Sequence, residues 1–275
     1  MTRETSIMEG APPDVIDTHA HIQLAEYDAD RAAVLQRAQR QGVQYVICPG
    51  IDLETSKAAL ELARSFPCVR AAVGVHPHEA RRWNEDVETA LSHLAEASGV
   101  VAIGETGMDL ARHPEDRDLQ ARAFRFQARL ARSLDLPLIV HNREADTDIM
   151  EILGQEGNTA VVLHCFTSTA TMARQAVERG WYLGFGGVIT YRSGASLVES
   201  LPDLPADRLL VETDCPYLSP APNRRRRNEP SGVLAPLRVL AGALSLPFDA
   251  VAALTTANAQ RLFPRLVHAP IDTGR

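Results

Sequence analysis

Two histidines one residue apart, His19 and His21, close the apolar run Val15-Ile16-Asp17-Thr18-His19-Ala20-His21-Ile22. Side chains at i and i+2 of an extended segment share a face, so both imidazoles turn the same way. Imidazole is the commonest protein metal ligand, and two from one strand supply half of a coordination sphere. A hydrogen-bonded pair near a strand end has the same spacing. Recurrence favours the metal: Glu105, His141, His164 and Asp214 each end a further apolar run. Such groups gathered without partners carry a large desolvation cost, which cations remove. Six ligands exceed the needs of one tetrahedral zinc and suit two divalent ions sharing a carboxylate. Glu105 is the natural bridge, with one oxygen for each ion. Two metals polarise a phosphoryl oxygen, activate water and stabilise a leaving oxygen, and Asp214 can take the water's proton.

The elements that must position these residues are legible as alternation. Eight short β-rich runs occur at Val15–Ile22, Val43–Pro49, Val69–Val75, Val100–Glu105, Leu136–His141, Thr159–His164, Trp181–Phe185 and Leu209–Asp214. Amphipathic segments lie between them, clearest at Ala29–Gln41, Leu119–Leu134 and Ala145–Leu153, with apolar residues at helical spacing. The seventh connection, Thr190–Leu204, is shorter and less regular, and Val233–Leu244 with Asp249–Phe263 would finish the outer ring. Near-continuous apolar strands alternating with helices predict an α/β fold, a (β/α)8 TIM barrel, whose C-terminal mouth gathers the ligands. An open doubly wound sheet is the competing architecture. One domain is expected over residues 15–263, with a disordered leader at 1–14 and a frayed tail at 264–275.

Composition sets the outer bounds. The chain has 275 residues, 45% hydrophobic and 23% charged, enough for one sizeable core. A net charge of -7 excludes coating of nucleic acid by bulk electrostatics but permits a local grip on a few phosphates. No apolar run approaches the roughly 18 residues of a membrane span, and the N-terminus lacks the apolar segment of a secretory signal. The four cysteines have no CxxC spacing, so neither a disulfide framework nor a zinc knuckle is suggested and a cytoplasmic monomer is expected. Cys165 and Cys215 each follow a ligand, and alternation should turn both sulfurs outward toward the helices. The run Arg224 to Arg227 lies just past the eighth strand. Its loop should overhang the mouth, where guanidinium suits phosphate.

The chain closely resembles the TatD family of metal-dependent deoxyribonucleases, within the amidohydrolase-like superfamily. The resemblance rests on Asp17-Thr18-His19-Ala20-His21, Gly74-Val75-His76-Pro77-His78, Gly104-Glu105-Thr106-Gly107-Met108-Asp109, His141-Asn142-Arg143, His164-Cys165-Phe166, Glu212-Thr213-Asp214-Cys215-Pro216-Tyr217-Leu218 and Arg227-Asn228-Glu229-Pro230. It extends to Thr255-Thr256-Ala257-Asn258 and Arg261-Leu262-Phe263. It implies one metal held by His19, His21, Glu105 and Asp214, and a second by Glu105, His141 and His164. Magnesium, manganese or zinc would serve. Glu105 stands where many amidohydrolases carry a carbamylated lysine, which disfavours that branch. The resemblance also implies 3′–5′ exonuclease action on single-stranded DNA, with His76 on a substrate phosphate, Arg227 as the leading cationic contact and Arg143 as a second. The chain departs from the family at Leu110-Ala111, where relatives usually carry aromatic residues, which leaves base stacking open. The same site could hydrolyse an ester, including a D-aminoacyl-tRNA. A metal-stabilised scaffold without turnover is a third reading, disfavoured by the complete ligand set.

Overall fold

The computed structural model of the chain describes residues 13–268. Eight parallel strands follow one another around the sheet in sequence order: β1 (Val15–Asp17), β2 (Val43–Pro49), β3 (Val69–Val73), β4 (Val100–Asp109), β5 (Leu138–Arg143), β6 (Val161–Leu163), β7 (Tyr182–Phe185) and β8 (Leu209–Val211). The seam between the last strand and the first is closed just beyond their ends. Thr18 N donates to Val211 O (3.2 Å), Asp214 N to His19 O (2.8 Å) and His21 N to Cys215 O (2.8 Å). The chain is a (β/α)8 TIM barrel.

The outer ring comprises α1 (Arg31–Arg40), α2 (Leu53–Ser65), α3 (Glu85–Ala95), α4 (Arg117–Ser133), α5 (Asp146–Glu156), α6 (Ala170–Glu178), α7 (Ala195–Ser200), α8 (Leu234–Leu244), α9 (Phe248–Leu262) and α10 (Arg265–His268). Local chemistry sets several ends. Asp52 and Thr55 form a reciprocal cap on α2, Asn84 caps α3 and Thr169 caps α6, each satisfying backbone donors that a first turn leaves free. Gly157, at φ 69°, ends α5 in the left-handed region that glycine enters without cost. Helix α4 turns Ala123, Phe124, Gln127, Ala128 and Ala131 inward, the i, i+4 stripe that a wall helix needs.

Inside the barrel, Ile16, Ile47, Ala72, Val101, Ile139, Val162 and Leu210 pack with Leu262, Phe263 and Leu266, which plug the floor. The tail therefore does not fray at residue 264: Leu266 is buried and its carbonyl accepts from Arg70 Nε at 2.6 Å. The end of the expected leader is also fastened, since Asp14 is bonded by Gln44 and Thr256. Residues 1–12 and 269–275 lie outside the described residues. Strands β1, β6 and β8 are shorter than their apolar runs, because the chain leaves regular pairing where it turns its ligands inward. The seventh connection holds short 3-10 turns and one six-residue helix. No single helix among the described residues is long and apolar enough to cross a membrane.

Candidate active site

All six expected ligands meet at the C-terminal mouth, around the carboxylate of Glu105. This strand is buried along its whole length. Oxygen Oε2 faces one group of ligands: His19 Nε2 lies 3.2 Å away and His21 Nε2 3.3 Å. Asp214 Oδ1 completes that side, 3.7 Å from His19 and 3.4 Å from His21. Oxygen Oε1 faces the other, with His164 Nε2 at 2.8 Å and His141 Nδ1 at 3.0 Å. His76 Nε2 also approaches it, at 3.4 Å. The two oxygens of one carboxylate thus face two groups of side chains, which adjoin where the His19 and His164 rings stack with centroids 3.9 Å apart.

These distances test whether metals fit. Ligand atoms about 2.0–2.2 Å from a common ion stand about 3.0–3.4 Å apart along the edges of its coordination polyhedron. His19 Nε2 to His21 Nε2 is 3.1 Å and His141 Nδ1 to His164 Nε2 is 3.4 Å. Facing imidazole nitrogens at such separations call for a proton or a cation between them. The donor set fits divalent ions.

The outer nitrogen of each ring decides which inner nitrogen carries a lone pair. His21 Nδ1 lies 3.2 Å from the Pro49 carbonyl, which can only accept, so Nε2 is free to ligate. His164 Nδ1 faces Glu212 Oε1 at 3.4 Å, and His141 Nε2 faces Asp109 Oδ2 at 3.4 Å. Neither contact is a formed hydrogen bond, but each carboxylate favours the ring proton on the outer nitrogen, away from the centre. His76 is wired the other way: its Nδ1 accepts from His78 N at 3.1 Å, so the neutral ring carries its proton on Nε2, facing Glu105. His76 is a donor at this mouth, whereas His21, His141 and His164 turn acceptors toward it; the outer Nδ1 of His19 has no hydrogen-bond partner among the described residues.

Electrostatics follow the same division. Burial alone would raise Glu105, but the surrounding imidazoles, His164 foremost, hold it well below the usual carboxylate range. Burial opposes the charged form of His21, yet its contacts with Asp214 and Glu105 push it up to about 9. Burial dominates at His76 and drives it down to about 4, which keeps it neutral. Asp214 is held below its ordinary value, burial being outweighed by His21 and the neighbouring imidazoles.

Backbone detail makes room for this. A Cβ on Gly107, at φ 132°, would strike the His141 carbonyl, and one on Gly184 would strike the Glu212 carboxylate. Asp214 itself is left-handed, at φ 54°, which aims its side chain back over the barrel axis. The mouth opens into a cleft of about 740 Å³, ample for a small substrate or the end of a polymer. Arg143 lines it as expected, and so does Arg112. Arg227 does not reach the cleft: its guanidinium is forked onto Asp30 (2.8 and 2.7 Å) and lies 4.7 Å above the Tyr27 ring. Cys165 also departs from expectation, because a φ of 44° turns it to line the cleft, while Cys215 is buried as anticipated. Sequence reasoning missed His78, Asp109 and Glu212, although all three belong to the quoted motifs.

Imidazoles and carboxylates gathered around one glutamate at the mouth of a parallel barrel are the donor set of a metal-dependent hydrolase. The chain matches the family described as TatD related DNase over residues 16–264. It is 39% identical to a Bacillus subtilis protein named as an uncharacterized metal-dependent hydrolase, YabD, covering 90% of this chain and 98% of that one. It is 40% identical to a Cronobacter sakazakii protein named 3′-5′ ssDNA/RNA exonuclease TatD, covering 90% and 97%. Among solved structures it resembles the TatD homolog YJJV from Escherichia coli, with a TM-score of 0.86, 30% identity, and 91% and 98% coverage. The chain belongs to the TatD family of metal-dependent hydrolases.

Proposed function

We propose that this protein is a two-metal phosphodiesterase that removes nucleotides from the 3′ end of single-stranded DNA. The observation that carries the reading is the split of Glu105, Oε2 toward His19 and His21 and Oε1 toward His141 and His164. The first site would be held by His19, His21, Glu105 and Asp214, the second by Glu105, His141 and His164. The imidazole-rich donor set suits zinc or manganese better than magnesium. Bound at both sites, the two ions would supply Lewis-acid activation of the phosphodiester and of the attacking water.

The protein's own groups then divide the remaining work. Asp214 is ionised at neutral pH and takes the proton of the attacking water. The Nε2–H of neutral His76 donates to a non-bridging phosphoryl oxygen, where negative charge grows in the transition state. Arg143 and Arg112 neutralise flanking phosphates, a task that a chain of net charge -7 must perform locally. Asp109 and Glu212 fix the tautomers of His141 and His164. The relative named as a single-stranded exonuclease supports the substrate and the polarity.

The test is a 5′-labelled single-stranded oligonucleotide incubated with wild-type protein or Glu105→Ala, in magnesium, manganese or zinc. The expected result is a ladder of shortened, still-labelled products with wild type alone. An oligonucleotide left intact in all three metals would overturn the nuclease reading, and hydrolysis of an aminoacyl-tRNA ester instead would move the same site to ester chemistry.

A further inference from the structure

Two features of the rim beyond Asp214 bear on how a strand would leave the cleft. The first is Tyr217, which is 52% exposed and lines the cleft as its single Phe, Tyr or Trp side chain among the described residues. Its backbone is pinned: Tyr217 N donates to Asp214 O at 3.0 Å, and Asn228 Nδ2 donates to Tyr217 O at 2.9 Å. Asn228 is itself buried and also holds Thr213 O at 3.0 Å. An aromatic ring is thus kept in water, on a rigid backbone, three residues from a ligand, with its edge toward His21 and a centroid separation of 6.3 Å. A large ring left exposed in a fixed place is what a stacking platform requires.

The second is the loop that leaves Tyr217 and returns at Asn228. Residues 221–227 are all exposed, yet the loop is folded rather than slack. Ser219 Oγ donates to Arg226 O at 2.7 Å, Arg226 N to Asn223 O at 2.9 Å, and Ala221 N to Thr190 Oγ1 at 2.9 Å. Arg224 lies 3.9 Å over the Tyr191 ring, which seats the tip against the connection after β7. Arg31, Arg37, Arg81, Arg117, Arg129 and Arg227 each pair with a carboxylate, whereas others among the described residues, such as Arg40, Arg64, Arg174 and Arg192, do not. Among the described residues Arg225 and Arg226 have no carboxylate partner, although the chain carries 35 Asp and Glu against 28 Lys and Arg. In an acidic protein, two unneutralised guanidiniums on the ordered loop that leaves an exposed ring and returns to its anchor Asn228 suit the alternation of base and phosphate in a single strand.

We propose that the strand leaving the metal centre crosses Tyr217, which stacks on one of its bases, and that Arg225 and Arg226 receive the phosphates beyond. This rests on the nuclease reading above and adds to it a binding track outside the catalytic cleft. The track makes the enzyme selective for strands long enough to span it. It is indifferent to sequence, because every base offers a π-face and every linkage a phosphate.

The experiment compares steady-state hydrolysis of a dinucleotide, a dodecamer and bis(4-nitrophenyl) phosphate by wild type, Tyr217→Ala, Tyr217→Phe and Arg225→Ser/Arg226→Ser, with DNA and RNA dodecamers of one sequence. Tyr217→Ala should raise KM for the dodecamer about 5- to 150-fold while kcat changes little, and Tyr217→Phe should restore it. The double arginine variant should raise KM for the dodecamer and leave turnover of the small phosphodiester unchanged. Its logarithmic salt dependence of KM should be shallower by about 1.4, the share of two phosphate contacts. Equal KM effects on all three substrates, or none on the dodecamer, overturn the track and leave the nuclease reading standing. Wild-type protein that hydrolyses bis(4-nitrophenyl) phosphate but neither nucleic acid overturns both. A track that relies on bases and phosphates alone treats DNA and RNA dodecamers alike, and a difference confined to wild type and absent from Tyr217→Ala would replace stacking with sugar recognition.

Discussion

Glu105 and Glu156 are both buried glutamates, 3% and 6% exposed, and their surroundings differ in kind. Glu156 ends α5 on the outer wall, where Arg129 grips its two oxygens at 2.9 Å each and Arg125 stands 3.5 Å away. Guanidinium keeps its charge at any pH a protein survives, so this carboxylate is neutralised by fixed partners and its job is finished when the chain folds. Glu105 is ringed by imidazoles instead. Imidazole presents a lone pair or a proton according to conditions, and the outer contacts of His21, His141 and His164 leave their inner nitrogens to present lone pairs, while His76 presents a proton. A carboxylate among acceptors is an arrangement that folding leaves incomplete and a metal completes. The two residues separate what holds the barrel together from what the barrel is for.

The sharpest way to break that contrast is to remove each carboxylate. Glu105→Gln should abolish hydrolysis, a loss beyond the about 10²–10⁴-fold expected when Asp214→Asn removes a general base. It should also erase the metal's effect on thermal stability. In wild type, free metal at about a hundred times Kd should raise Tm by about 5–10 °C, read by differential scanning fluorimetry with and without chelator. Asp214→Asn should act chiefly on kcat rather than KM.

A smaller effect is expected one step outward. Asp109→Asn leaves every ligand in place but loosens the tautomer of His141, so metal affinity should fall by about 10–100-fold, measured by competition with a chromophoric chelator. Smaller still, Glu156→Gln should leave kcat and metal binding untouched and lower Tm by about 2–4 °C, because its partner Arg129 is largely exposed and screened. Equal damage to activity from Glu156→Gln would dissolve the comparison.

The pH responses should have opposite signs. Arg129 foremost holds Glu156 below its ordinary value, against the opposing effect of burial. Its contribution to stability is therefore present above the unfolded carboxylate pKa of about 4.3 and lost as pH falls through the lower folded value. In metal-free protein His21 is raised to about 9. Its contribution is present in full below the unfolded value of about 6.5 and lost as pH rises through about 9. Long-range proton–nitrogen NMR spectra should follow the His21 titration near 9 in chelated protein and lose it when metal occupies Nε2.

Much of the fold and of the candidate metal centre is legible in the amino-acid sequence. The alternation of apolar runs and amphipathic segments predicts the barrel, because a parallel strand buried on both faces must be apolar throughout and its helices must be apolar on one side. The ligands are legible because they terminate those runs: His19, His21, Glu105, His141, His164 and Asp214 all sit where a barrel gathers its strand ends. Other residues are not legible, for an identifiable reason. Asp109 and Glu212 act through the far nitrogens of His141 and His164, contacts that join different strands and leave no local spacing. Cys165 defies the expected orientation because strand alternation fails where φ becomes positive.

Arg227 marks the boundary most clearly. By itself the sequence determined the fold class, the family and which ionisable residues gather at the barrel mouth, since periodicity and residue type are properties of a chain read locally. It also determined that a run of arginines follows the eighth strand. Which of them are already spent was decided only in three dimensions: Arg227 is claimed by Asp30, 197 residues away in the chain, while Arg225 and Arg226 have no carboxylate partner among the described residues. Charge is written in the sequence, but whether a charge is neutralised depends on what the fold places within a few ångströms of it.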